Sequence, residues 1–115
     1  MDKVNFLTLE NRDDIVISFS FDDDTEYGID GLTILRTPMF EFISPINERG
    51  ATIMFDDDSH SLLDTVDITR SKIVMKTKSA VKELSFDLSR LDDQEYDEML
   101  THFKSINFDN SIKIS

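Results

Sequence analysis

The chain has no cysteine among its 115 residues, so disulfide frameworks and thiolate metal sites are both excluded. Only three glycines and two prolines occur, which excludes long flexible linkers and glycine-rich phosphate loops. No apolar run approaches the roughly 20 residues that a membrane-spanning helix needs. The start, Met1-Asp2-Lys3-Val4-Asn5, lacks the positive charge and apolar stretch of a secretory signal. These absences together predict a soluble, cytoplasmic protein.

Positive charge is scarce as well. Twelve basic residues face 24 acidic ones, a net charge of −12. Such a balance disfavours nucleic acid and anionic membrane as partners, because both would be repelled. The excess is uneven: residues 1–67 carry −12, residues 68–91 carry +4, and residues 92–115 carry −4. Hydrophobic residues nevertheless make up 39% of the chain, with nine Phe, so it can bury a core and is not disordered. Its length allows one domain, residues 1–115.

Period-two alternation dominates the first three-quarters. Ile15, Ile17, Phe19 and Phe21 share one face, as do Ala51, Ile53 and Phe55, and Leu84, Phe86 and Leu88. Further strands are expected at Val4–Leu9, Leu32–Arg36, Phe40–Ile43, Leu62–Thr69 and Ile73–Thr77. Turn chemistry separates them at 11–14, 28–31, 45–50 and 71–72. The period then changes. Tyr96, Met99, Leu100 and Phe103 form a helical stripe over about 92–106, opened by an Asp92/Glu95 capping box with Leu91 and Tyr96 as staple. Asn107 is expected to end the helix in a left-handed conformation, and 111–115 to add an edge strand.

The fold class expected is α+β. Seven or eight short, mostly antiparallel strands build a sandwich or partly open barrel, with one C-terminal amphipathic helix packed on the sheet. Pleckstrin-homology-like domains share this order of elements, a likeness of shape that implies no function.

Two aspartate triplets, Asp22-Asp23-Asp24 and Asp56-Asp57-Asp58, each follow an alternating apolar run. With Glu26 they are the candidate partner-binding residues, because short carboxylates clamp Arg and Lys and create a negative field. The competing structural reading is a pair of solvated turns that end strands. Asp22, Asp24 and Glu26 also have the alternate spacing of a calcium loop, but Tyr27 stands where glycine is needed. Asp22–Thr25 resembles the aspartyl nucleophile loop of haloacid-dehalogenase-type phosphatases, which Glu26 breaks and the chain length forbids.

Arg70, Lys72, Lys76, Lys78 and Lys82 all fall at even positions, so those on a regular strand share a face. No aromatic residue is interleaved with them for base stacking, and pairing with acidic neighbours outweighs an anion-binding role. His60 and His102 are the only imidazoles, and no catalytic, zinc or nucleotide motif surrounds them. The segment Pro38–Pro45 is expected as a buried strand or, alternatively, an edge for strand addition or a homodimer.

The sequence thus predicts no enzyme, no cofactor and no metal. It predicts an acidic protein-interaction domain that binds a basic partner protein, analogous in composition to immunity proteins and inhibitors of basic effectors. A structural or adaptor domain acting through homodimerisation, and a calcium-responsive module, are the alternatives.

Overall fold

The computed structural model describes residues 2–21, 31–43, 50–55, 60–78 and 83–115. The chain runs β1 (Asp2–Asn11), β2 (Ile15–Phe21), β3 (Gly31–Arg36), a 3-10 helix (Pro38–Ile43), β4 (Thr52–Phe55), β5 (His60–Ile68), β6 (Lys72–Thr77), β7 (Leu84–Asp87), α1 (Asp93–Ile106) and β8 (Lys113–Ile114). Each strand from β1 to β7 pairs antiparallel with the next, and β7 returns to β1. The ladder therefore closes on itself as a seven-stranded barrel. Closure with an odd number of alternating strands forces the first and last to run parallel, as β1 and β7 do. The expected α+β class holds, with one sheet and a single C-terminal helix, and the barrel is closed where a sandwich or a partly open barrel is expected.

Alternation decides which side chains fill the barrel. Ile15, Ile17, Phe19 and Phe21 of β2 are buried, as are Leu32 and Ile34 of β3, Ile53 of β4, and Ile73 and Met75 of β6. Phe21 stacks on Phe86 with ring centroids 4.6 Å apart. Two bulges reset the alternation. Val4 faces Phe21 but Phe6 faces Ser20, so Asn5 is the extra residue and both Val4 and Leu7 turn inward. Asp64 plays the same part in β5, leaving Leu63 and Val66 both buried.

Helix α1 starts as expected. The Asp92 carboxylate accepts the Glu95 amide at 2.7 Å, and Glu95 accepts the Asp92 amide at 3.2 Å. Its stripe of Met99, Phe103 and Ile106 is buried in the core, with Tyr96 and Leu100 packed at the margin. Near its N-terminus Asp93 pairs with Arg70 of the β5–β6 turn, and at its C-terminus the Ile106 carbonyl accepts from Arg36 at the end of β3. Those two anchors stretch the helix across one mouth of the barrel. β8 then adds in parallel to β5, as the expected edge strand.

Three local expectations are corrected. Phe40–Ile43 is not a strand but part of the 3-10 helix, whose first residue, Pro38, has a locked φ and no amide hydrogen to pair. In a strand Glu41 would lie roughly 17 Å along from Arg36; instead its carboxylate meets that guanidinium at 2.8 Å. The homodimer or strand-addition edge expected there has no strand to offer. Asn107 ends the helix with φ −99°, and the left-handed residue is Asn110 at φ 57°. The Asn107 side chain instead bridges both backbone groups of Ile112, accepting from its N–H and donating to its carbonyl, each at 2.9 Å. Gly31, expected in a turn, opens β3 opposite Ser20.

Candidate functional site: the acidic mouth and the Arg36 node

Asp22, Asp23, Asp24, Glu26, Asp56, Asp57 and Asp58 lie outside the described residues. The strands that lead into them do not. Phe21 ends β2 opposite Val4, Gly31 opens β3 opposite Ser20, Phe55 ends β4 opposite Leu32, and His60 opens β5 opposite Met54. Because β2 and β4 both run antiparallel to β3, they point the same way and end at the same mouth. One strand separates them, which puts their ends roughly 10 Å apart. That spacing slightly exceeds the Debye length of about 8 Å at physiological salt, so fields from the two strand ends are partly screened from one another and overlap more fully at low salt. The mouth at which β2 and β4 end is the one opposite α1.

Several cations are engaged within the fold. Lys76 lies 3.6 Å from Glu83, and Lys72 faces Asp87 in the β6–β7 ladder. Ile73 and Met75 are buried while Lys72 and Lys76 are exposed, the alternation expected of this strand. Arg70 donates to Asp93 at 3.1 Å and to the Leu91 carbonyl at 2.6 Å, and lies 5.0 Å from the centre of the Tyr96 ring. The basic segment thus stitches strands and helix together. The outward side of α1, by contrast, exposes Asp93, Asp97 and Glu98.

The two histidines stand on different elements. His60 opens β5 at the acidic mouth, and His102 sits on α1 at the other. The His102 Nδ1–H donates to the Glu98 carbonyl at 2.9 Å, an ordinary contact one helical turn away. Among the described residues no group of three His, Cys, Asp or Glu could hold a metal ion. A shallow groove of about 300 Å³ on the outer side of β5, β6 and β8 is lined by Asp67 and Glu83 against Lys76 and Lys113, so its charges cancel.

The most elaborate polar cluster centres on Arg36, a residue that sequence reasoning passed over. Its side chain is buried, with 2% of the residue exposed. Nε donates to Glu41 at 2.8 Å and Nη2 to the other Glu41 oxygen at 3.3 Å. Nη1 and Nη2 donate to Asp109 at 2.9 and 2.7 Å, and Nη1 also reaches the Ile106 carbonyl at 2.9 Å. Phe108 lies over the guanidinium, 4.1 Å from its carbon to the ring centre. All five donors are satisfied, as burial of this cation requires. Burial on its own disfavours the charge, but the hydrogen bonds to Asp109 and Glu41 outweigh it and raise the Arg36 pKa. Chiefly through its hydrogen bonds to Arg36, the Asp109 carboxyl is held far below the usual carboxylate range. One signal was available: Leu32, Ile34 and Arg36 alternate, so the arginine occupies a core position.

The node ties β3, the 3-10 helix and the segment after α1 into one unit, and Glu41 also accepts the Gly50 amide at 3.1 Å. No cavity adjoins it among those described, and its chemistry is structural. No protein family model, curated protein or solved structure matches this chain.

Proposed function

We propose that this chain is a non-catalytic interaction domain whose acidic mouth binds a basic partner protein. The observation that carries the proposal is the shared origin of the two aspartate triplets. The strands leading into them end at the same mouth, with β3 between them and roughly 10 Å apart, at the end that α1 leaves open. The net charge of −12 acts in the same sense, since it steers cationic surfaces in and repels nucleic acid. The balanced charge of the groove on β5, β6 and β8 favours binding over catalysis.

The test compares the native chain with a variant carrying Asn at positions 22–24 and 56–58, each used to capture proteins from host lysate at low and high salt. The proposal expects a basic protein, retained by the native chain, weakened by salt and lost from the variant. Equal retention by both chains at both salt levels would overturn it.

A further inference from the structure

We propose that residues 6–11 of β1 form an open strand edge that pairs antiparallel with the same edge of a second copy, across a twofold axis at Thr8. The inference is independent of the acidic mouth. Barrel closure covers β1 on its β7 side only at Asp2 and Lys3, because β7 ends at Asp87, opposite Lys3. β1 continues to Asn11 with β2 on its other side. Just past the end of β7, Arg90 donates to the Asn5 side chain. From Phe6 onward, no described residue outside β2 hydrogen-bonds to the β1 backbone. Helix α1 packs against β1 and β2 but makes no such bond either. Alternate residues of an edge strand direct both N–H and C=O away from the paired neighbour, so this edge is a template for one more strand.

The edge is complementary to itself. With Thr8 opposite Thr8 of the second copy, Leu7 falls opposite Leu9 of that copy and Leu9 opposite its Leu7, while Phe6 falls opposite its Glu10. Both leucines face the core yet are only partly buried, so an added strand completes their cover and sets four leucines side by side. On the outer side Phe6, 70% exposed, gains the Glu10 stem of the second copy, and neither Glu10 meets a like charge across the pair. Directly opposed threonines are themselves a favourable cross-strand pair. Residues 6–11 contain neither Pro nor Lys, which blunt natural edges. A groove of about 360 Å³ lined by Leu9, Glu10, Asn11 and Arg12 leaves the far end of the edge accessible. The pairing adds about four to six ladder hydrogen bonds and is isologous, the arrangement of a closed dimer. Opposing it is the net charge of −12 on each copy. Association should therefore strengthen as salt screens that repulsion, the reverse of binding to a basic partner.

The test is sedimentation velocity of the full chain over a range of concentrations, at low and at high salt. Thr8 is exposed, so T8K and T8E leave the core untouched, and thermal melting confirms that each variant folds. The native chain should dimerise, with a dissociation constant that falls at least about threefold from low to high salt. T8K and T8E should each weaken self-association at least about fivefold, because the twofold axis sets like charges directly opposite. Their equimolar mixture should recover the dimer, since Lys then faces Glu. T8K also lowers the net negative charge, so its loss separates the local contact from repulsion between whole chains. A native chain that stays monomeric at every concentration and salt overturns the proposal. So does a dimer that T8K and T8E leave intact, a dimer that salt weakens, or a mixture that recovers nothing.

Discussion

Replacing Arg36 by Met should be among the most damaging single changes in the protein. The substitution keeps a long side chain but removes five donors from a site where the residue is 2% exposed. Glu41 and Asp109, with side chains 17% and 42% exposed, are left facing one another with no cation between them. Breaking a buried ion pair from one side costs about 3–5 kcal/mol. The lower end applies here, because water reaches Asp109 and screens its charge. An unfolding entropy of about 0.24 kcal/mol/K for a chain this long converts about 3 kcal/mol into a fall of roughly 12 °C in Tm. Urea denaturation should show the same loss at an unchanged slope. The triple variant R36M/E41Q/D109N should regain at least about 1 kcal/mol, since it removes the two stranded charges. A Tm within about 3 °C of native for R36M, or no recovery in the triple variant, would refute the account of the node as a buried charge cluster.

Acid should act on the same node. The folded-state pKa of Asp109 is depressed, so the unfolded chain binds more protons in acid and stability must fall with pH. The contribution is complete above the unfolded value near 3.9 and declines as pH drops below it toward the folded value. D109N should therefore be less stable at pH 7 and show a shallower loss between pH 4 and about pH 2, read from urea midpoints. At the helix start, D92A removes a carboxylate that accepts the Glu95 amide and should cost about 1 kcal/mol, whereas D92N should cost a few tenths. F86A opens the interior beside Phe21 and should cost about 3–5 kcal/mol by chemical denaturation. E83Q breaks an ion pair whose partners are both about half exposed, and its stability should stay within about 0.5 kcal/mol of native.

The legible parts of this protein are those governed by local periodicity. The β2 strand from Ile15 to Phe21 and the helix after Asp92 could be read because each pattern is written in consecutive residues and depends on nothing distant. The segment after Pro38 has the look of a buried strand because it is apolar on both faces between two prolines. What overrides that pattern at Glu41 is a guanidinium five residues earlier, and the third member of the cluster, Asp109, is 73 residues away from it. Helix termination was misread for a related reason: the Asn107 side chain is occupied by Ile112, and the left-handed turn moves to Asn110.

The sequence by itself determined the strands, the capped helix, the inward faces and the existence of two acidic clusters, because propensity, alternation and charge are properties of neighbours along the chain. Only the tertiary structure decided that β7 would return to β1 and close a barrel, that α1 would cross one mouth, and that β2 and β4 would both end at the other. It also decided where the cations go. Arg36, Arg70 and Lys76 meet carboxylates brought near by folding, in a buried site for Arg36 and at the surface for the other two, and that proximity in space is what spacing along the chain cannot express.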